Sequence, residues 1–190
     1  MGAFEHVIAL LSFVYALALT HLLSGIVALI RADNRVRFSW IYAFWMLNAF
    51  LIIIANWISF WDMRSMPSWN MLAIAFMLVM AFANYLQAAL VCPEVPKEGS
   101  VDLGAFHESQ SRRYIGAFLV SGILALAANA IFGSMLNVSE WSAQNFAVVP
   151  MVIAAALSTV FRALWVQIVM PIVLLGAWIY YFSFLQGALK

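Results

Sequence analysis

The sequence predicts an all-α membrane protein: a polytopic bundle of six transmembrane helices in one domain, with both termini on the non-cytoplasmic side. Three observations predict it. Of 190 residues, 66% are hydrophobic and 9% are charged, against about 45–50% and about 25% in ordinary soluble domains. The apolar residues fall in long runs, and a run of about 20 crosses a hydrocarbon core about 30 Å thick at about 1.5 Å per helical residue. Lys and Arg concentrate in alternate connections. So little charge cannot cover a soluble domain, so the lipid bilayer is the first partner the composition implies. The formal net charge of +1 gives no basic field for nucleic acid, which is excluded as a partner.

The first span is expected over 4–30, from Phe4 to Ile30, and ends at Arg31. Glu5 precedes this apolar core and three arginines follow it, the reverse of a secretory signal, so it reads as an uncleaved anchor. The second span is expected over 40–61 and the third over 70–92. Cys92 closes the third. As the single cysteine it has no companion for a disulfide or a metal site, and it reads as a small apolar residue.

A polar segment over 93–113 follows. Pro93, Pro96 and Gly99 make its first half a turn-rich connector. From Asp102 the pattern turns helical, with Leu103 and Phe106 on the side of Tyr114 and with His107, Glu108 and Arg112 pointing elsewhere. This predicts an amphipathic helix on the headgroups, leading into a fourth span over 114–134. Asn137-Val138-Ser139 matches a glycosylation sequon, but Ser139 as a helix N-cap is the preferred reading. The apolar run from Phe146 to Leu185 is about twice one span. Pro171 suits the first turn of a helix, where its missing N–H removes nothing. The run is therefore divided near Val166–Met170 into spans over 146–166 and 171–189.

Orientation follows the basic residues. Arg31, Arg35, Arg37, Lys97, Arg112, Arg113 and Arg162 share one side of a six-span topology, and Arg64 and Lys190 fall on the other. The first set marks the cytoplasmic face. Trp57, Trp61, Trp69 and Trp141 then lie at the outer interface, with Trp40 and Trp165 at the inner one.

Ionisable groups at bilayer depth are costly and usually functional. All eight carboxylates fall at helix ends or in loops, which argues against ion-coupled transport. His21 is the exception. It stands beside Thr20 and Ser24, with Ala18, Gly25 and Ala28 on adjoining faces, where small residues would let another helix approach. The candidate intramembrane polar site comprises His21, Thr20, Ser24, Asn48, Asn56, Asn84, Gln87, Asn129, Ser158 and Arg162. Ser158 and Arg162 form an i,i+4 pair on the fifth span, with Arg162 reaching toward headgroups. The amides read first as hydrogen-bonding links between helices, and alternatively as the lining of a narrow polar path. No nucleophile elbow, phosphate loop or metal-binding motif is present, so neither an enzyme nor a metal or cofactor site is expected. A haem held by two histidines fails because His6 lies about four turns from His21 and His107 lies in the polar segment.

Phe4, Ser12 and Thr20-His21-Leu22-Leu23, then the arginines from Arg31 to Arg37, then Asp102-Leu103 leading to Arg112-Arg113-Tyr114 carry a resemblance. With these motifs the chain resembles small bacterial inner-membrane proteins of unassigned function, over about a third of its length. The resemblance implies a bacterial plasma membrane and no particular activity. The function expected is a non-catalytic accessory subunit, assembly factor or scaffold, with a homo-oligomer or other membrane subunits as partners. An oligomeric passive channel or uncoupled transporter is the alternative, and a haem- or quinone-binding subunit the third.

Overall fold

The computed structural model describes residues 3–66, 69–96, 98–136 and 141–188. Six helices carry the fold: α1 (Ala3–Ala32), α2 (Trp40–Ser59), α3 (Met71–Val91), α4 (Leu103–Leu136), α5 (Trp141–Val160) and α6 (Leu164–Ala188). Five of them contain stretches long and apolar enough to cross a membrane: Phe4–Ala32, Trp40–Ser59, Met71–Val91, Leu103–Gly133 and Leu164–Ser183. The apolar described part of α5, Asn145–Val160, is shorter. The protein is therefore a helical bundle with the composition and helix lengths of a multi-pass membrane protein.

Local chemistry sets several helix ends. The Ser39 hydroxyl accepts from the Tyr42 N–H at the start of α2, and Asn70 Oδ1 accepts from the Ala73 N–H, 2.7 Å away, at the start of α3. Both side chains satisfy donors that a helix leaves unpaired in its first turn. Asp102 does the same for α4, its Oδ1 accepting from Gly104 N–H at 2.8 Å and Ala105 N–H at 3.0 Å.

The helices form a ring, α1–α3–α4–α5–α6–α2, in which α2 also touches α3 and α4. Lipid is as apolar as the bundle interior, so close packing and hydrogen bonds hold such helices together. Small side chains accordingly sit at the contacts, with Ala18, Ala81, Ala88 and Ala155 fully buried. Around them pack Leu11 and Leu22 of α1, Trp45 and Ile53 of α2, Met77 of α3, Ile115 and Phe118 of α4, and Leu174 of α6.

At one end, two chain segments form a clip. Val36–Arg37 (β1) pairs in parallel with Val101–Asp102 (β2), in the register Val36 to Val101 and Arg37 to Asp102. Arg37 Nη1 donates to Asp102 Oδ2 at 3.2 Å, and Arg35 Nη1 donates to the Pro96 carbonyl at 3.0 Å. Deeper in, the Tyr42 hydroxyl donates to the Val91 carbonyl at 2.9 Å. These contacts tie the α1–α2 connection to the α3–α4 connection.

The Ala105 and Gly104 N–H groups and the Arg37 guanidinium hold the Asp102 carboxyl below the usual carboxylate range. A depressed value means that the carboxylate stabilises the fold above its unfolded value of about 3.9, and that this support is lost as pH falls through the folded value. Protection factors of the Gly104 and Ala105 amides should therefore fall in acid, and Asp102→Asn should abolish that dependence. An identical acid response in the variant would show that another group causes it.

Three expectations are corrected. The division of the last apolar run lies at Phe161–Ala163 and not at Val166–Met170, so α5 spans Trp141–Val160 and α6 begins at Leu164. Pro171 is the eighth residue of α6, inside the helix and not in its first turn, and Pro150 lies inside α5. Each proline leaves the carbonyl four residues earlier without its helical donor, which a bundle tolerates. The helical part of the polar segment is the start of α4 itself, continuous over 34 residues and about 51 Å long, and it packs on α2. His107, expected to point away from Tyr114, is buried and bonded to it. Seven residues make two helical turns, so positions 107 and 114 share a face. Asn137–Ser139, Glu140, Lys97, Lys190 and the Trp141 side chain lie outside the described residues.

Candidate functional site

Most of the polar residues singled out by the sequence fall into two groups. Thr20, His21 and Ser24 all lie on the exposed face of α1, and the His21 ring meets Tyr85 of α3 with ring centres 6.2 Å apart. The close approach of α1 to α3 is at Gly25. A Cβ there would lie 2.6 Å from Sγ and 3.1 Å from Cβ of Cys92. Cys92 itself is half-buried, and burial pushes its thiol up to about 11, so it is protonated and unreactive at neutral pH.

The amides go inward and bond across helix pairs. Asn56 Nδ2 donates to Asn84 Oδ1 at 3.3 Å, and Asn84 Nδ2 donates to the Tyr15 hydroxyl at 3.4 Å, which joins α2, α3 and α1. Trp178 Nε1 donates to Asn48 Oδ1 at 2.9 Å, joining α6 to α2. Asn129 Nδ2 donates to Asn145 Oδ1 at 3.0 Å, joining α4 to α5. Gln87 is buried too, with Oε1 unpaired among the described residues. Tyr15, Trp178 and Asn145 were not singled out from the sequence. Spacing within one helix holds no information about partners on another.

Ser158 and Arg162 do not form the expected pair. α5 ends at Val160, so Arg162 is in the break and exposed, while the buried Ser158 hydroxyl makes no hydrogen bond among the described residues. A helical i,i+4 relation requires an unbroken helix.

The break brings together a third group, at the α4–α5–α6 junction. Gln167 Nε2 donates to the Ser158 and Phe161 carbonyls, each at 2.8 Å, and so satisfies two carbonyls at the end of α5. The Gln167 amide also stands beside the His107 ring. His107 Nδ1 and the Tyr114 hydroxyl share a hydrogen bond, and the Phe106 ring stacks near Tyr114. His107 Nε2, Gln167 Oε1 and Ser158 Oγ are all buried and unpaired among the described residues.

No family model, curated protein or solved structure matches the chain. The junction offers buried hydrogen-bonding atoms, of the kind that an ordered water satisfies. Among the described residues, no three His, Cys, Asp or Glu side chains gather where they could hold a metal ion. The signals that could have found this site were the i,i+7 spacing of His107 and Tyr114 and the presence of a lone glutamine inside an apolar run.

Proposed function

We propose that the protein is a non-catalytic component of a bacterial plasma membrane, an accessory subunit, assembly factor or scaffold. In this reading it crosses the bilayer six times with both termini outside. It meets a second copy or another membrane subunit through the α1–α3 face that carries His21. One observation carries the reading: Thr20, His21 and Ser24 are exposed about two-thirds of the way along a helix of 30 residues, a depth that this reading places in hydrocarbon. Polar side chains at that depth are costly facing lipid and gain a hydrogen bond when another helix covers them. The amides that could have lined a path are instead bonded to one another across helix pairs, which favours this reading over a channel. The clustering of Arg31, Arg35 and Arg37 at the clipped end supports the orientation.

A photo-crosslinker at position 20, installed in the full-length protein in native membranes, should give one discrete adduct, either a dimer of this chain or a defined membrane subunit. The same group at exposed Ile179 of α6 should not. His21→Leu should weaken the adduct while thermal stability in detergent is unchanged. Equal, diffuse labelling from both positions would overturn the reading. Solute flux in proteoliposomes that vanishes in His21→Leu would favour the channel.

A further inference from the structure

Beside the clip, α1 and α2 enclose a lateral groove of about 510 Å³, lined by Ile26, Leu29, Phe38, Ala43, Met46 and Phe50 among others. Tyr42 is the one wall residue with a hydroxyl, and that group is committed to the Val91 carbonyl. The interior therefore presents methyl, methylene and ring surface. A groove of this size suits a small molecule or a single acyl chain rather than a helix about 10 Å across.

The rim is of opposite character. Ile30 and Val36 both line the groove, and the chain between and just beyond them carries Arg31, Arg35 and Arg37. Arg35 and Arg37 also fasten the clip, through Pro96 and Asp102, which fixes where their guanidiniums stand. Arg31 is exposed at the last turn of α1, directly after Ile30. In sequence, the connection that borders the groove, residues 31–37, carries three arginines and one aspartate. A guanidinium fork matches phosphate oxygens in charge and geometry. A neutral quinone or sterol would find no free side-chain hydroxyl or amide on the groove wall and carries no charge for the arginines to attract.

We propose that this groove is a binding site for one anionic phospholipid, with an acyl chain along the α1–α2 wall and its phosphate against the arginine rim, Arg31 foremost. The site is separate from the face that carries His21, so it stands or falls independently of the accessory-subunit reading.

The test is native mass spectrometry of the full-length protein in mild detergent, supplied with phosphatidylglycerol or phosphatidylcholine. One phosphatidylglycerol should be retained per chain in preference to phosphatidylcholine. Arg31→Gln should reduce that retention about fivefold, the effect of one basic residue at an anionic surface. Ala43→Trp, which fills the groove, should abolish it, while Arg64→Gln at the opposite end should leave it unchanged. Equal retention of the two lipids, retention unchanged in Arg31→Gln, retention that survives in folded Ala43→Trp, or purification with a neutral isoprenoid in the groove would each overturn the proposal. Because Arg31 is exposed, Arg31→Gln remains decisive even if Ala43→Trp does not fold.

Discussion

Gln167→Leu should be among the most destabilising single substitutions in the protein. Leucine is close in volume and suits the apolar surroundings, so a hydropathy argument would expect little change. However, the Gln167 amide donates to two carbonyls at the end of α5, those of Ser158 and Phe161, and the side chain is buried. Each buried acceptor left unpaired costs about 1–3 kcal/mol. The α5–α6 junction should open, with faster amide exchange and easier proteolysis around Phe161–Ala163. Gln167→Met separates the causes, since it keeps the unbranched length and loses the donors without adding a charge. Unfolding in detergent checks both variants. If Gln167→Leu unfolds like the parent protein, the amide is not what closes the junction.

Gly25→Val should be comparably damaging at the opposite contact. The Cβ position at residue 25 overlaps Cys92 Sγ and crowds Cys92 Cβ, so a branched side chain there must turn the thiol aside and press α1 away from α3. Overpacking a tight contact costs about 1–3 kcal/mol. Cys92→Ala alone should be mild, and in the double variant it should recover about 1 kcal/mol, because the nearer of the two clashing atoms is gone. Thermal melts of the four proteins complete the cycle. Strict additivity would mean that the two residues do not meet.

Both substitutions lie where the helices meet rather than within any one of them. The boundaries of α1, α2 and α3 were legible within a few residues because Arg31, Ser39, Asn70 and Cys92 bracket apolar runs of spanning length. The α5–α6 division was not. Pro171 is a strong local signal for a helix start, yet the break falls earlier, where Gln167 folds back to satisfy the carbonyls left open. His107 was misplaced because the polar segment looked like a surface element. In the structure its continuous helix carries the imidazole against Tyr114 and Gln167. The amides were correctly singled out as a class, but their partners Tyr15, Trp178 and Asn145 lie on other helices.

The sequence by itself determined that this is a membrane-type helical bundle, where most helices begin and end, and that its basic residues concentrate in alternate connections. Those properties follow from a hydrocarbon layer of fixed thickness, which demands apolar length and internally bonded backbone. Only the tertiary structure decided which face of each helix points inward. His21 and Leu22 are neighbours on α1, yet Leu22 is fully buried against the bundle while His21 faces out beside Tyr85. In a soluble protein, polar residues on one side of a helix would have marked its outer face. Here lipid and core are equally apolar, so the periodicity that reveals orientation in water is nearly absent, and contacts between helices set each face instead.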